Sequence, residues 1–405
     1  MTESYLMESQ DPLQKQKKAD QSRKYELDWL RVTAVLVLVF FHSSEIFSGG
    51  WFHIKNTETS YFFNVLSGFI YLWHMPLFFL ISGASTWFAL EFRTEREYRK
   101  ERIVRLFIPL VFGILLLIPP QSYFENIQKA GFRGSFPEFY THFFNGIYPS
   151  GNLHWGHLWF LFYLLVFSLV SVKLFVSFKV GQRQKFRKSF ANRFSRGHSI
   201  FKLVVPLIFI EVVFRWLFPG FQTFVTDWAN VFHYLYLFVL GYLLYSEKSL
   251  LDGISANMKL ALIVAIPLSI SYLVVAPLSQ TAFDGFMANP TSSYLLSHPE
   301  TVLYYILLMV LKVTAEWCWL IVLLGYGRKL LSYQKRGIRV LSRFAFPFYI
   351  FHQTVVITIG FHVVQLSLHI GLKYLIVVLG AIPIIYICCL LTKTNRITRF
   401  MFGMK

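Results

Sequence analysis

A basic residue and a histidine lie eleven positions apart in the first apolar stretch, Arg31 and His42. Eleven residues at about 100° each return almost to the same azimuth, so both side chains lie on one stripe of a helix, roughly 16 Å apart. Glu45 follows one turn beyond His42, on a neighbouring face. An arginine can bind an anion, and a histidine can accept a proton near neutral pH. A snorkelling arginine and a packed histidine without chemistry fit the same spacing.

Three further ionisable residues fall inside apolar stretches, where burial is expensive and function is the default hypothesis. His74 comes at about the depth of His42 by helix rise, and it fits a core histidine as well as a catalytic one. Glu316 and His352 come at similar depth on two later helices, so the two side chains are candidates to pair with each other. Such a pair would either serve the chemistry or stabilise the fold alone.

Arg102 and Arg105 stand three positions apart at the start of the third apolar stretch and therefore share a helix face. Two guanidinium groups on one face suit a phosphate-bearing ligand, because each can bind an oxyanion bidentately. Arginines that only fix membrane topology would have the same spacing. The sequence has no metal-ligand spacing, glycine-rich phosphate loop or nucleophile elbow, so we expect neither a metal site nor a tightly bound cofactor.

These residues must be positioned by membrane-spanning helices. Hydrophobic residues make up 55% of the 405 residues and charged residues only 15%, against roughly 25% charged residues in soluble domains. Recurring apolar runs of about twenty residues predict an all-α integral membrane protein with about ten transmembrane helices. The three cysteines fall inside these runs, so no disulfide is expected. The predicted spans are 27–48, 63–90, 103–120, 156–178, 201–219, 227–246, 258–277, 301–326, 341–363 and 371–392.

Lysines and arginines are concentrated in alternate loops, which predicts that both termini are cytoplasmic. The formal net charge of +18 therefore reflects membrane topology, and we expect the lipid bilayer and no nucleic acid as a partner. The predicted organisation is a polar cytoplasmic tail (1–26), a ten-helix domain (27–392) and a basic cytoplasmic tail (393–405). The domain includes a long outer loop (121–155) and a basic inner loop (179–202).

The outer loop 121–155 is rich in aromatic residues and glycine. Aromatic side chains commonly anchor a segment at the membrane surface. Aromatic faces also stack on sugar rings, so the loop equally fits a lid or a carbohydrate-binding surface. Its aromatic residues and histidine include Phe132, Phe136, Phe139, Tyr140, Phe143, Phe144, Tyr148, His154 and Trp155.

Five segments together resemble the acyltransferase-3 family of integral membrane acyltransferases. A basic residue, ten intervening residues and a histidine mark the first helix of that family, as in Arg31 and His42. The resemblance extends in order over almost the whole chain, and it is closest to the branch linked with succinyl decoration of periplasmic glucans. The matching segments are Leu27–Arg31 with Phe41–Ser43, Trp73–Gly83, Arg102–Arg105 with Pro109, His157–Leu161 and Pro347–Gln353.

The resemblance implies transfer of an acyl group, acetyl or succinyl, from cytoplasmic acyl-coenzyme A to a hydroxyl of an extracytoplasmic glycan or other cell-surface acceptor. It implies a multi-pass protein of the bacterial cytoplasmic membrane, with acyl-coenzyme A as co-substrate. His42 would be the catalytic base, and Arg31 would orient the donor or polarise its carbonyl. Arg102 and Arg105 would hold coenzyme A phosphates. The tetrahedral intermediate would need a donor such as Arg31, His74 or a backbone N–H.

Two other functions stay open at this point. A transporter of a polar or anionic solute would use Arg31, His42 and Glu316 as a solute and proton path. A donor half-enzyme would pass acyl groups across the membrane to a separate transferase. A homodimer and a partner transferase are both open, and His42 could attack the thioester itself or only deprotonate the acceptor. The Arg102 and Arg105 pair separates these functions, because a transporter has no use for a coenzyme A clamp.

Overall fold

The computed structural model describes residues 24–147, 150–288 and 297–404. Within these ranges the chain is mostly helical, and nine helices are long and apolar enough to cross a membrane. The predicted all-α integral membrane fold is therefore confirmed. The predicted cytoplasmic tail 1–26 lies, up to residue 23, outside the described residues.

The α-helices are numbered here in chain order. They are α1 (Tyr25–Phe47), α2 (Tyr61–Tyr71), α3 (His74–Ala89), α4 (Glu95–Arg102), α5 (Ile108–Leu116), α6 (Ile118–Lys129), α7 (Phe136–His142), α8 (Trp159–Ser177), α9 (Gly181–Phe194), α10 (Val205–Phe209), α11 (Arg215–Leu217), α12 (Trp228–Ser246), α13 (Lys248–Ala288), α14 (Pro299–Leu330), α15 (Arg336–Val363), α16 (Ile370–Thr394) and α17 (Arg396–Met401).

The third predicted span is part of a longer helical run that extends from Glu95 to Lys129. The run begins with a capping box, in which the side chains of Thr94 and Glu97 each bond the backbone N–H of the other. A π-helical turn over Ile103–Phe107 joins α4 to α5. The first part of the predicted outer loop 121–155 is therefore helical up to Lys129.

The fifth predicted span, 201–219, is not one regular helix in the structure. A 3₁₀ turn (Ser199–Val204), α10, a π turn (Ile210–Phe214) and α11 follow one another there. Pro206 lies at the start of α10 and has no N–H for a regular helix. Glu211, fully buried in the π turn, is the centre of an ionic cluster. This segment accounts for the difference between the ten predicted helices and the nine long ones described.

Helix α1 is packed against α2, α15 and α16 and also contacts α3 and α14, so its stripe of polar residues faces other helices. Helices α3 and α12 cross where glycine replaces a side chain on each. A Cβ added to Gly83 would lie 1.9 Å from the carbonyl oxygen of Phe238, and one added to Gly241 would lie 1.9 Å from that of Leu80. Small residues allow such close backbone approach between membrane helices.

Candidate active site

Three histidines from distant parts of the chain form a cluster beside the C-terminal half of α1. The ring centroids of His42 and His352 are 5.0 Å apart, and those of His352 and His157 are 5.1 Å apart. His42 belongs to α1 and His352 to α15, while His157 lies in the 3₁₀ turn that leads into α8. The sequence alone predicted no function for His157, although this residue begins one of the segments that resemble the family.

The hydrogen bonds of the cluster fix which ring nitrogens are occupied. His157 Nε2 lies 2.9 Å from the carbonyl oxygen of Ile350, so this nitrogen donates and Nδ1 carries the lone pair. His352 Nδ1 donates to the carbonyl oxygen of Tyr349, which leaves Nε2 as the acceptor. Among the described residues, neither His352 Nε2 nor His42 Nδ1 has a hydrogen-bond partner. Such unsatisfied buried nitrogens are unusual in folded proteins and are available to a substrate.

His74 lies in the same region, but one of its ring nitrogens is already hydrogen-bonded to the backbone. Its Nδ1 donates to the carbonyl oxygen of Ile70 over 2.9 Å, and its side chain is buried. The ring of Phe41 contacts both His74 and His42, with centroid distances of 4.8 and 4.9 Å. His74 therefore lies in the second layer around His42, with Phe41 packed against both rings.

The predicted pair of Glu316 and His352 is wrong. Glu316 accepts a hydrogen bond from Nε2 of His233 on α12, over 2.8 Å. The side chain of Glu316 faces α12 instead of α15, so equal depth in the membrane did not bring the two predicted partners together. His233, which the sequence did not single out, also lies 2.9 Å from Glu211 through its Nδ1.

Glu211 and Glu316 belong to a buried ionic cluster around the broken fifth segment. Glu211 lies 3.0 Å from both Arg215 and Lys312, and Arg215 lies 3.3 Å from Asp227. The three carboxylates are thus matched by one arginine, one lysine and one histidine. Buried charges are tolerated when they are paired in this way.

A cavity of about 280 Å³ opens at the other end of α1, and we call it the arginine cavity. It is formed by the start of α1, the end of α3 and the helical run that begins with α4. Five cationic side chains and two carboxylates line it, so its net charge is positive. They are Lys24, Arg31, Arg93, Arg102, Arg105, Asp28 and Glu101.

The arginines of this cavity differ in how far carboxylates neutralise them. Glu101 contacts Arg93 at 2.8 Å and Arg105 at 3.3 Å, so it shares its charge between the two. Arg102 stacks on the ring of Tyr98, with 4.7 Å from its Cζ to the ring centroid. Its Nε is buried without a hydrogen-bond partner in the described part of the chain. Both predicted clamp residues thus line one cavity, and an anion would meet an unmatched charge at Arg102.

Arg31 points into the arginine cavity. Its guanidinium donates to Ser85 over 2.9 Å and lies 3.2 Å from Asp28, one turn earlier on α1. Asp28 also accepts a hydrogen bond from Ser342 of α15 over 2.9 Å. These contacts direct the guanidinium towards the start of α1 and away from His42. Arg31 therefore belongs to the arginine cavity, whereas His42 belongs to the histidine cluster.

The aromatic residues of the predicted loop 121–155 pack on one another and on α6. The rings of Tyr123, Phe132 and Phe139 contact one another with centroid distances of 5.5 to 6.1 Å, and Phe139 is buried. Near the end of the loop, burial lowers the pKa of His154 to about 4, so this histidine is neutral at physiological pH. The roles of the loop as a membrane anchor or as a sugar-binding surface stay predictions.

The all-helical fold agrees with the family to which the chain belongs. The model of the acyltransferase domain (acyltransferase 3) matches residues 24–393, and the chain is a member of this family of membrane acyltransferases. Among the described residues, no cluster of histidine, cysteine, aspartate or glutamate side chains could hold a metal ion.

Its relatives include proteins named glucans biosynthesis protein C, which confirms the resemblance to the glucan biosynthesis branch of the family. The protein of that name from Escherichia coli O81 (strain ED1a) is 24% identical over 95% of each chain. The one from Shigella dysenteriae serotype 1 (strain Sd197) is 32% identical over 38% of this chain, an alignment that spans 39% of that protein's length. No solved structure matches the chain.

Proposed function

We propose that this protein transfers an acetyl or succinyl group from cytoplasmic acyl-coenzyme A to a hydroxyl group of a glucan outside the cytoplasmic membrane. The observation that carries the proposal is the position of two residues on α1. Arg31 lies in the arginine cavity, and His42 lies in the histidine cluster. A donor that spans this distance would have its phosphates and its thioester at different depths. The name of the relatives supports a glucan as the acceptor.

The donor's phosphates are assigned to the arginine cavity. Arg102 has the least neutralised guanidinium there, and Arg31 and Arg105 add positive charge, so a multiply charged nucleotide end is attracted. The contacts of Arg31 with Asp28 and Ser85 favour binding of the donor over polarisation of a carbonyl near His42. The end that carries these arginines faces the cytoplasm in this proposal, in agreement with the charge of the loops.

The transfer needs one base and returns its proton at the end. His42 accepts the proton of the acceptor hydroxyl, and the hydroxyl oxygen attacks the thioester carbonyl. The C–O bond forms, a tetrahedral intermediate develops, and the C–S bond breaks to release coenzyme A. The departing thiolate takes the proton from the imidazolium of His42, so the ester, free coenzyme A and the neutral histidine are left.

Donor binding tests this proposal. The variant Arg102→Ala/Arg105→Ala is expected to lower the affinity of purified protein for acetyl- and succinyl-coenzyme A at least tenfold, because two phosphate contacts are lost. His42→Ala is expected to bind the donor like the wild type. Arg193→Ala/Arg196→Ala is the matched control, since these arginines have the same spacing and are exposed outside the cavity. Calorimetry or a filter-binding assay measures all four proteins.

Two outcomes would contradict the donor assignment. If the wild type binds neither donor, acyl-coenzyme A is not the donor. If the Arg102→Ala/Arg105→Ala variant binds like the wild type, these two arginines do not hold the donor's phosphates. The transporter alternative relied on Glu316 together with Arg31 and His42. Glu316 is engaged with His233 in the ionic cluster, and this pairing favours acyl transfer over a path through all three residues.

A further inference from the structure

A second cavity, of about 260 Å³, lies beside the end of α1 that is remote from the arginine cavity. We propose that it binds the acceptor of the acyl group, and that the acceptor is a neutral molecule with several hydroxyl groups. This inference rests on the proposed function and adds the acceptor site to it. We call the space the acceptor cavity; its walls include Phe41, Glu45, Ser48, Asn64, Ser67 and Tyr71 from α1, α2 and the chain between them.

The chemistry of these walls is the opposite of that in the arginine cavity. In the described part of the chain no lysine or arginine lines the acceptor cavity, and its one carboxylate belongs to Glu45. The lining therefore offers no cationic side chain that could bind a phosphate. A carboxylate, an amide, hydroxyl groups and the aromatic faces of Phe41 and Tyr71 together suit a polyol, since sugar hydroxyls both donate and accept hydrogen bonds. The volume suits a sugar residue better than a whole glycan chain.

Asn64 and Glu45 offer complementary hydrogen-bonding groups. The Oδ1 atom of Asn64 accepts the backbone N–H of Gly49 over 2.7 Å, which orients the amide and leaves its Nδ2 group to donate. The carboxylate of Glu45 accepts hydrogen bonds from the hydroxyl groups of Ser48, over 3.4 Å, and Ser67. It has further lone pairs for a ligand hydroxyl. A ligand with adjacent hydroxyls can therefore bond both residues.

The cavity also lies at the right place along α1. Glu45 is three residues beyond His42 and so one helical turn away. Phe41, which is in the wall of the cavity, contacts the ring of His42 with 4.9 Å between centroids. A sugar held by Glu45 thus has its neighbouring hydroxyls close to the proposed base. Glu45 acts as a positioning residue in this arrangement and takes no proton from the reacting hydroxyl.

A lysine outside the spans holds the shape of this end of α1. The ammonium group of Lys55 donates to the carbonyl oxygens of Glu45, over 2.6 Å, and Ser48, and contacts the Ser48 hydroxyl at 3.3 Å. It thereby satisfies carbonyl groups that end the helix. The ammonium group thus binds backbone carbonyl oxygens beside the cavity. Lys55 stabilises the end of α1 that carries Glu45, although it does not line the cavity itself.

Cysteine protection tests where the acceptor binds. Gly50 lines the cavity, and a Cβ added there would meet no atom closer than 3.8 Å. Gly50→Cys is expected to react with a membrane-impermeant maleimide, and the β-linked glucose trisaccharide laminaritriose should slow that reaction at least fivefold. Coenzyme A should give no protection. Thr57→Cys is the control, because it lies in the same connection, exposed and outside the cavity.

A second variant separates positioning from chemistry. Glu45→Gln is expected to raise the KM for laminaritriose about tenfold, to leave kcat within threefold and to leave donor binding unchanged, and in the Gly50→Cys background it should abolish protection. Glu58→Gln, the same change at an exposed outer residue, should alter neither constant.

The outcomes also separate this inference from the proposed function. If the protein acylates laminaritriose but the trisaccharide does not protect Gly50→Cys, the proposed acceptor site is wrong and the proposed acyltransferase function stands. A fall in kcat with unchanged KM in Glu45→Gln would likewise overturn the positioning role. Protection that depends on Glu45 in a protein that binds no acyl-coenzyme A would support the cavity and overturn the proposed donor. A protein that shows neither protection nor transfer would overturn both.

Discussion

At the scale of single residues, the chemistry depends on which histidine nitrogens are already bonded. His157 and His74 each donate to a backbone carbonyl, whereas His42 Nδ1 has no partner among the described residues. His352 holds its Nδ1 on Tyr349 and leaves Nε2 without one. His42 and His352 thus each keep one ring nitrogen without a hydrogen-bond partner in the described part of the chain. The proposed reaction assigns the base to His42, because His42 shares the α1 stripe with Arg31, and leaves His157 and His352 to pack around it.

Exchanging the histidines should separate catalysis from packing. His42→Ala is expected to lower kcat for acyl transfer at least a hundredfold, because general base catalysis is lost. His157→Ala is expected to lower the free energy of unfolding by about 1–3 kcal/mol, because the carbonyl of Ile350 loses its buried donor. Transfer assays and thermal unfolding in detergent measure the two effects. A His42→Ala protein with wild-type kcat would contradict the assignment of the base.

The acceptor cavity should respond to pH through Lys55. Burial lowers the pKa of Lys55 to about 8, so its ammonium is present below about pH 8 and neutral above it. Because the neutral amine has fewer protons to donate, the KM for laminaritriose should rise as the pH passes through 8. Burial already disfavours the charged form, so this titration is not expected to unfold the protein. Initial rates between pH 6.5 and 9.5 measure the change.

Lys55→Arg supplies the comparison for this pH dependence. Arginine stays protonated over the whole range, so the rise in KM should be absent from the variant. The same rise in both proteins would show that another group titrates and would contradict the role of Lys55.

Residue types and spacing predicted only some of these contacts. The stripe of Arg31 and His42 follows from the helical repeat alone. Contacts between residues on different helices do not follow from the sequence in this way. The sequence gives the depth of a residue along its helix, but not the direction in which the side chain points relative to the neighbouring helices. Glu316 and His352 have similar depth, yet Glu316 faces His233. The occupied nitrogens of His157 and His74 depend on backbone carbonyls that no side-chain pattern reveals.

At the scale of elements, two π turns carry charged residues of the arginine cavity and of the ionic cluster. The π turn over Ile103–Phe107 includes Arg105 and follows directly after Arg102. The other π turn, over Ile210–Phe214, includes Glu211 at the centre of the ionic cluster. Hydropathy predicted apolar spans at both places. It could not predict the π turns, because they depend on hydrogen bonds that shift by one residue and leave the composition unchanged.

Breaking the ionic cluster should destabilise the broken fifth segment. Glu211→Gln removes the carboxylate that Arg215, Lys312 and His233 share, and it is expected to lower the free energy of unfolding by about 3–5 kcal/mol. Glu211→Gln/Lys312→Met should regain part of that loss, because one of the uncompensated charges is gone. Thermal unfolding in detergent gives both values, with Glu58→Gln as the exposed control.

Two results would contradict this view of the cluster. Wild-type stability in Glu211→Gln would show that the ion pairs contribute little to the fold. A Glu211→Gln/Lys312→Met protein that regains no stability over Glu211→Gln would contradict the coupling between the two charges.

At the scale of the whole molecule, α1 connects two cavities of opposite character. The arginine cavity at its start has a positive lining, and the acceptor cavity at its end has a single carboxylate. The histidine cluster lies beside the stretch of α1 that leads to the acceptor cavity. Loop charges and hydropathy were enough to predict the membrane fold and which end is basic. The cavities themselves required the packing of α2, α3 and the α4 run against α1.

The most direct test is transfer across a sealed membrane. Oriented proteoliposomes receive radiolabelled acetyl- or succinyl-coenzyme A on the side of the basic loops and laminaritriose on the other side only. The predicted result is labelled trisaccharide on the far side from the wild type and none from His42→Ala, with free coenzyme A on the donor side. Labelled trisaccharide formed only when donor and acceptor share one side, or formed equally by His42→Ala, would contradict the proposed reaction.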